Sequence, residues 1–234
     1  RGSRASPSPP GSTGRPNGVA IEHRGLANLL WSFKDRPGMT AADTILAITT
    51  LSFDIHTVET WLPMIVGARS VIVTRETALD GRRLAELADA CDATILQSTP
   101  ATWRLLIASG WKGKRNLRAW CGGEPLTPEL MSQLLDRTGE LWNVYGPTET
   151  SVWSVIHHVR PTDPLPLVGK PIANTQIYVL DSNMQPQPIG RVGEIWIGGD
   201  GLARCYLGRP ELTAARFATW TPPLAGAKPT RIYK

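Results

Sequence analysis

The sequence predicts an α/β fold: a parallel βαβ lobe followed by a small antiparallel barrel-like unit. Two observations carry this. Up to about Pro161, short apolar runs of strand length alternate with stretches whose apolar residues recur at helical spacing, and strands separated by helices pair in parallel. Beyond it, Ile172 to Leu180 and Val192 to Gly198 alternate apolar with polar residues, with proline and glycine between them, as in an antiparallel unit. The expected organisation is a disordered or artefactual N-terminus over 1–10, an α/β lobe over 11–160 and an antiparallel subdomain over 161–234.

Each element has its own signal. Arg1 to Pro10 is rich in Ser, Pro and Arg without periodicity and reads as loop. Leu26, Leu29, Leu30 and Phe33 have helical spacing. Thr44 to Ser52 reads as a buried strand, Val58 to Val66 as a helix despite Pro63, and Ser70 to Thr74 as a short strand. Leu84, Leu87 and Ala88 mark a helix, Thr94 to Leu96 a strand, Thr102 to Ala108 a helix and Leu117 to Cys121 a strand. Thr127-Pro128-Glu129 is a cap followed by proline at the first helical position, and starts the helix of Leu130, Leu134 and Leu135. Leu141 to Val144 is the last strand of the lobe, and no internal repeat is seen.

The bulk numbers bound the class. At 234 residues, 41% hydrophobic and 19% charged, the chain suits a soluble globular protein with a sizeable core. A net charge of +5 is modest and its basic residues are scattered, so nucleic acid is not an expected partner. The three cysteines, Cys91, Cys121 and Cys205, are far apart and read as thiols in a reducing compartment. No apolar run approaches the roughly 18 residues of a membrane span, and no signal-peptide core is present, so the expected location is the cytoplasm, with no membrane partner. His23, His56, His157 and His158 form no metal signature.

The chemistry concentrates in three places. Asn143-Val144-Tyr145-Gly146-Pro147-Thr148-Glu149-Thr150 joins a ring that can stack on adenine, a tight turn, hydroxyls for phosphate oxygens and a carboxylate for magnesium. Gly11-Ser12-Thr13-Gly14 can expose backbone N–H groups to oxyanions such as the β/γ end of ATP, with Ser12 and Thr13 adding hydroxyl donors. It is not a Walker loop, which needs GK[ST] after four residues. Phe53-Asp54-Ile55 follows an apolar strand, and a carboxylate at the mouth of an apolar pocket needs a cation to meet it. Asp54 also has the position of a helix N-cap. Asp54, Gly122 and Tyr145 all follow predicted strands, where ligands bind in parallel sheets.

These motifs, with Gly193-Glu194-Ile195-Trp196-Ile197-Gly198-Gly199 downstream, resemble the adenylate-forming superfamily, and most nearly the adenylation domain of a nonribosomal peptide synthetase. The resemblance runs from about Gly11 to the end and implies ATP-dependent adenylation of an amino acid, then transfer to phosphopantetheine on a carrier domain. ATP and magnesium would be the cofactors, and peptidyl carrier and condensation domains the partners. It assigns Ser12, Thr13, Gly14 and Thr148 to phosphate and Glu149 to magnesium, with Thr148 and Glu149 the catalytic pair. Gly123, Glu124, Asn143, Tyr145 and Gly146 fall to the nucleotide, and Asp54 to the substrate's α-ammonium. The remaining pocket positions are Ile55, Val58, Gln97, Trp120, Gly122, Val144, Val152 and Trp153. The series resembles a glycine-type pocket; Trp120, in place of a smaller aliphatic, is its largest departure. Two tryptophans leave little volume and bring no charge, which favours glycine, then alanine.

Alternatives remain open. Trp120 and Trp153 also read as core aromatics, Tyr145 as a core ring and Glu149 as a solvated acid. An acyl- or aryl-CoA ligase of the same superfamily is an alternative that Asp54 speaks against, and a non-functional fragment is another. The family's Pro-Lys-Gly stands here as Pro16-Asn17-Gly18, removing a cation from the phosphate region, and Cys205 replaces a glycine, which strains a left-handed backbone if one is needed there. Arg231-Ile232-Tyr233-Lys234 resembles the start of a motif whose following Asp holds ribose. The resemblance therefore implies the middle of a longer domain, expected to be inactive in isolation and prone to aggregate through exposed sheet edges.

Overall fold

The computed structural model describes the backbone of Ser3–Pro7 and residues 17–234. The chain forms two compact units: unit 1 holds residues 1–29, 146–154 and 171–234, and unit 2 holds residues 30–145 and 155–170. In unit 1, β1 (Ser3–Pro7) pairs antiparallel with β2 (Gly18–Glu22), Pro7 lying opposite Gly18. A segment that reads as loop by composition is thus a strand, because main-chain pairing needs no side-chain pattern. Helix α1 (His23–Phe33) follows; Leu29, Leu30 and Phe33 are its buried stripe, and the division between the units falls after Leu29.

Unit 2 continues with β3 (Thr44–Ala47), α2 (His56–Val66), β4 (Arg69–Ile72), α3 (Arg75–Ala78), α4 (Gly81–Ala90) and β5 (Ile95–Ser98). Then come α5 (Pro100–Ala108), β6 (Lys114–Gly122), α6 (Pro128–Leu135), β7 (Thr138–Tyr145), β8 (Val155–Val159) and β9 (Lys170–Pro171), where the unit ends. The sheet order begins β4-β3-β5-β6-β7-β8; the strands are parallel through β7, and β8 returns antiparallel. One face is closed by α4, α5 and α6, whose Leu84, Ala88, Trp103, Leu106, Leu130 and Leu134 form a core with Leu96, Leu117, Ala119 and Leu141. Helix α6 starts as its sequence dictates: Thr127 Oγ1 accepts from the Leu130 N–H at 3.3 Å, and Pro128 occupies the first turn.

Helix α2 contains Pro63, which has no N–H for the carbonyl of Glu59 four residues earlier. The Ser70 hydroxyl donates to that carbonyl at 2.9 Å, so the orphaned acceptor is satisfied from β4. At the amino end of the sheet, Arg118 pairs with Asp43, which also accepts from Thr94 Oγ1 at 2.8 Å. Burial works against that carboxylate, but the donors of Arg118, Thr40 and Thr94 outweigh it and hold its pKa below the usual range.

Unit 1 resumes with β10 (Thr175–Leu180), β11 (Glu194–Gly199), α7 (Pro210–Arg216), β12 (Phe217–Trp220) and β13 (Thr230–Tyr233). They form a four-stranded antiparallel sheet in the order β10-β11-β13-β12. Leu180, Trp196, Trp220 and Ile232 make one cluster, and Val19, Ala203, Tyr206, Phe217 and Tyr233 another. The parallel-rich sheet and the separate small antiparallel sheet are the α/β class read from the sequence. Among the described residues no helix is long and apolar enough to cross a membrane.

Candidate active site

In unit 2 the parallel strands all deliver their carboxyl ends to one edge of the sheet. Gln97 lies opposite Trp120, and Gly122 opposite Val144, in adjacent strands. Partners in a parallel ladder share a face, and so do residues two apart in a strand. Gln97, Trp120, Gly122 and Val144 therefore lie on one face of the sheet. The α2 helix packs there, since the Gln97 amide donates to the Ile55 carbonyl at 3.1 Å. Val58 is buried in the same helix. Trp120 is 0% exposed and meets Phe33 edge-on, with ring centroids 5.6 Å apart.

Asp54 stands in the turn between β3 and α2, half-buried. The residue at the N-cap position of α2 is Ile55, and the Asp54 main-chain carbonyl accepts from the Thr57 N–H at 2.9 Å. The cap alternative for the Asp54 side chain thus has the wrong position by one residue. β3 ends at Ala47, earlier than its apolar run suggests, because the chain turns at Thr50, whose carbonyl accepts from the Phe53 N–H at 3.0 Å.

The other face of β6 and β7 carries Cys121, Asn143 and, at the strand end, Tyr145. Burial pushes the Cys121 thiol up to about 12, so it packs as a neutral apolar group. Asn143 is buried and its Nδ2 donates to the Leu167 carbonyl at 2.8 Å. Tyr145 is 39% exposed, not a core ring. After β6, Gly123 adopts φ +83°, a left-handed conformation costly for other residues, and turns the chain toward exposed Glu124.

The rest of the nucleotide motif lies in unit 1. Thr148–Thr150 is a single 3-10 turn. Glu149 is buried, not solvated, and its Oε1 accepts from the Tyr206 hydroxyl at 2.7 Å. Burial, then the neighbouring Tyr233 and Glu149, push the Tyr206 pKa up, so this phenol stays a donor at neutral pH. Two residues later the backbone is strained. Ser151 and Val152 have φ 63° and 72°, and the Trp153 N–H donates to the Ser151 carbonyl at 2.9 Å. A β-branched residue in a left-handed turn is a genuine outlier of the kind found at functional sites. It is held by close packing: a Cβ on Gly146 would lie 2.5 Å from the Val152 carbonyl oxygen and 2.7 Å from the Ser154 nitrogen. Gly146→Ala is expected to destabilise unit 1 by about 1–3 kcal/mol, read as faster hydrogen exchange over residues 146–154. Trp153 and Val152 are both buried in this segment.

Ser12, Thr13 and Gly14 lie outside the described residues. The end of that loop is described: Arg209 Nη1 donates to Asn17 Oδ1 at 3.4 Å, so a guanidinium lies beside Asn17. Cys205 is not among the residues of positive φ, and its replacement of glycine brings no left-handed strain. His157 pairs with Asp163 at 2.8 Å, while His158 stacks on Trp142 with centroids 4.4 Å apart.

Sequence reasoning missed two residues. Tyr206 gives no local signal, because its link to Glu149 spans 57 positions. Glu59 does give one: it is an acid inside the apolar stripe Val58, Leu62, Pro63 of α2. It is 0% exposed, and burial raises its pKa from 4.5 to about 7 against the donors of Thr49 and Gln97. The folded chain holds this proton more tightly than the unfolded one. Its stability contribution is therefore full below about pH 4.5 and is lost as pH rises through about 7. Glu59→Gln is expected to flatten that part of the plot of denaturation midpoint against pH.

Comparison with known proteins follows the same lines. The sequence profile of a family described as AMP-binding enzyme matches residues 10–207. A dimodular nonribosomal peptide synthase of Bacillus subtilis (strain 168) is 43% identical over 227 residues, 96% of this chain and 9% of its own length. A solved four-domain nonribosomal peptide synthetase bound to AMP and glycine matches with TM-score 0.89 at 44% identity, over 98% of this chain and 17% of that one. The N-terminal subdomain of NpsA from Klebsiella oxytoca, in complex with 3-hydroxybenzoyl-AMSN, matches with TM-score 0.81 at 27% identity, over 99% and 58%. The chain thus spans a minor part of the length of the synthetases it matches.

Proposed function

The chain belongs to the AMP-binding enzyme family, and we propose that it carries the amino-acid and nucleotide sites of a nonribosomal peptide synthetase adenylation domain that activates glycine, with alanine second. The observation that carries this reading is the single sheet face shared by Gln97, Trp120, Gly122 and Val144, at the strand edge where Asp54 stands. A carboxylate beside an apolar wall suits a small zwitterion: Asp54 pairs the ammonium, and the buried indole of Trp120 leaves little space for a side chain. The synthetase structure bound to AMP and glycine supports the same substrate.

In the reaction so proposed, one oxygen of the amino-acid carboxylate attacks the α-phosphorus of ATP. The acyl–oxygen–phosphorus link forms as the bond from phosphorus to the bridging oxygen breaks, and pyrophosphate leaves with that electron pair. The acyl group then passes to a phosphopantetheine thiol on a carrier domain, and AMP leaves. The chain's residues position and neutralise: Ser12, Thr13 and Thr148 donate to phosphate oxygens, and Gly123 and Glu124 shape the adenine side. Asn143 and Tyr145 hold the base. A magnesium ion shared with phosphates needs only one or two protein carboxylates, and Glu149, buried with Oε1 accepting from Tyr206, would supply one hard oxygen donor. When bound, the ion supplies charge neutralisation at the phosphates. Gly146, Val152 and Trp153 complete the motif, with Ile55 and Val58 presented by α2.

The test is ATP–pyrophosphate exchange by the full-length protein with glycine, alanine, leucine, benzoate and a fatty acid. Exchange with glycine above alanine, and little with the rest, is the expected result. Exchange only with benzoate or the fatty acid would mean an aryl- or acyl-activating ligase and overturn the role of Asp54.

A further inference from the structure

The buried acid of α2 has a place in no step above, yet it holds the residues that do. Glu59 Oε1 accepts from Thr49 Oγ1 at 2.7 Å and from Gln97 Nε2 at 3.1 Å, while Oε2 accepts from the Thr49 N–H at 2.9 Å. Thr49 opens the turn that leads from β3 to Asp54. Gln97 ends β5, and its amide nitrogen also donates to the Ile55 carbonyl, directly after Asp54. With donors required on both sides, the Gln97 amide has one allowed orientation. We infer that Glu59 is a positioning residue for the amino-acid pocket: it fixes the Gln97 amide and the turn that presents Asp54. The inference rests on the reading of Asp54 and Gln97 as pocket residues.

A surface acid could be lost with little effect. This one is satisfied by two donors from Thr49, one from Gln97 and the Ile48 main-chain N–H, without a salt-bridge partner among the described residues. Burying a carboxyl in this way costs stability unless its donors are in place. Its presence on the apolar stripe of α2 is therefore better explained by what it orders than by what it stabilises.

Glu59→Gln keeps the volume but turns one acceptor oxygen into a donor, so the Gln97 amide and the main-chain donors are left to compete for the oxygen that remains. In the full-length protein the variant is expected to raise the KM for glycine about tenfold while leaving the KM for ATP within about twofold, since leaving a buried hydrogen-bonding group mispaired costs that much. Because Glu59 acts through Gln97, adding Glu59→Gln to Gln97→Ala is expected to raise the glycine KM by less than it does alone. A merely structural role would instead weaken both substrates together and add independently to Gln97→Ala; that result overturns the inference. Should Glu59→Gln fail to fold, Thr49→Val removes one donor from the same carboxylate and is read by the same split, at about threefold. No amino-acid-dependent exchange by the unmutated protein would overturn the functional reading and this inference with it. Normal exchange with an unaltered KM in both variants would overturn the inference alone.

Discussion

Asp54→Asn is expected to lower amino-acid-dependent exchange by about 10²–10³-fold, because removing one member of a desolvated charge pair costs roughly 3–5 kcal/mol. The substitution keeps the shape of the side chain and leaves the main-chain carbonyl that accepts from Thr57 at the start of α2. The loss should therefore fall on kcat/KM for glycine and not on the fold. A thermal transition unchanged within a few degrees, with exchange largely gone, is the predicted pair of results. Retained exchange would remove Asp54 from the ammonium site.

The second large effect belongs to Trp120. Its ring is fully buried on the face of β6 that also carries Gly122, and packs edge-on against Phe33. Trp120→Ala removes one of the largest side chains in unit 2 and is expected to cost about 3–5 kcal/mol, the usual range for such truncations. Loss of hydrogen-exchange protection in β5, β6 and β7 reads this locally. If Trp120 limits the pocket, the variant also gains exchange with leucine relative to glycine. A destabilised variant whose preference is unchanged would make Trp120 a core residue and nothing more.

Much of the fold is legible in the sequence where the signal is local. Thr127-Pro128 start α6 because both the cap and the proline act within one turn. The alternation of β10 and β11 is visible because one face of each meets Trp196 and Leu180 in a small core. β3 looked longer than it is. Leu51 and Phe53 are apolar but exposed, and no pattern in the segment records that the chain turns at Thr50. The tolerance of α2 for Pro63 was equally unreadable, since the compensating donor, Ser70, lies in the next strand.

The candidate site divides in the same way. Tyr145, Gly146, Thr148 and Glu149 are contiguous, so residue types alone suggest a nucleotide motif. Tyr206 and Glu59 act through contacts made only after folding, and the left-handed turn at Ser151 and Val152 has no glycine to announce it. The backbone there is held by neighbours such as Gly146, not by its own preference.

The most direct test compares glycine with acetate, which is glycine without its ammonium group. The measurement is kcat/KM for ATP–pyrophosphate exchange by the full-length protein with each acid. An amino-acid site built on Asp54 predicts a preference for glycine of at least about 10²-fold, the cost of leaving the Asp54 carboxylate without its cation. Equal rates for the two acids, or a preference for acetate, would contradict the account.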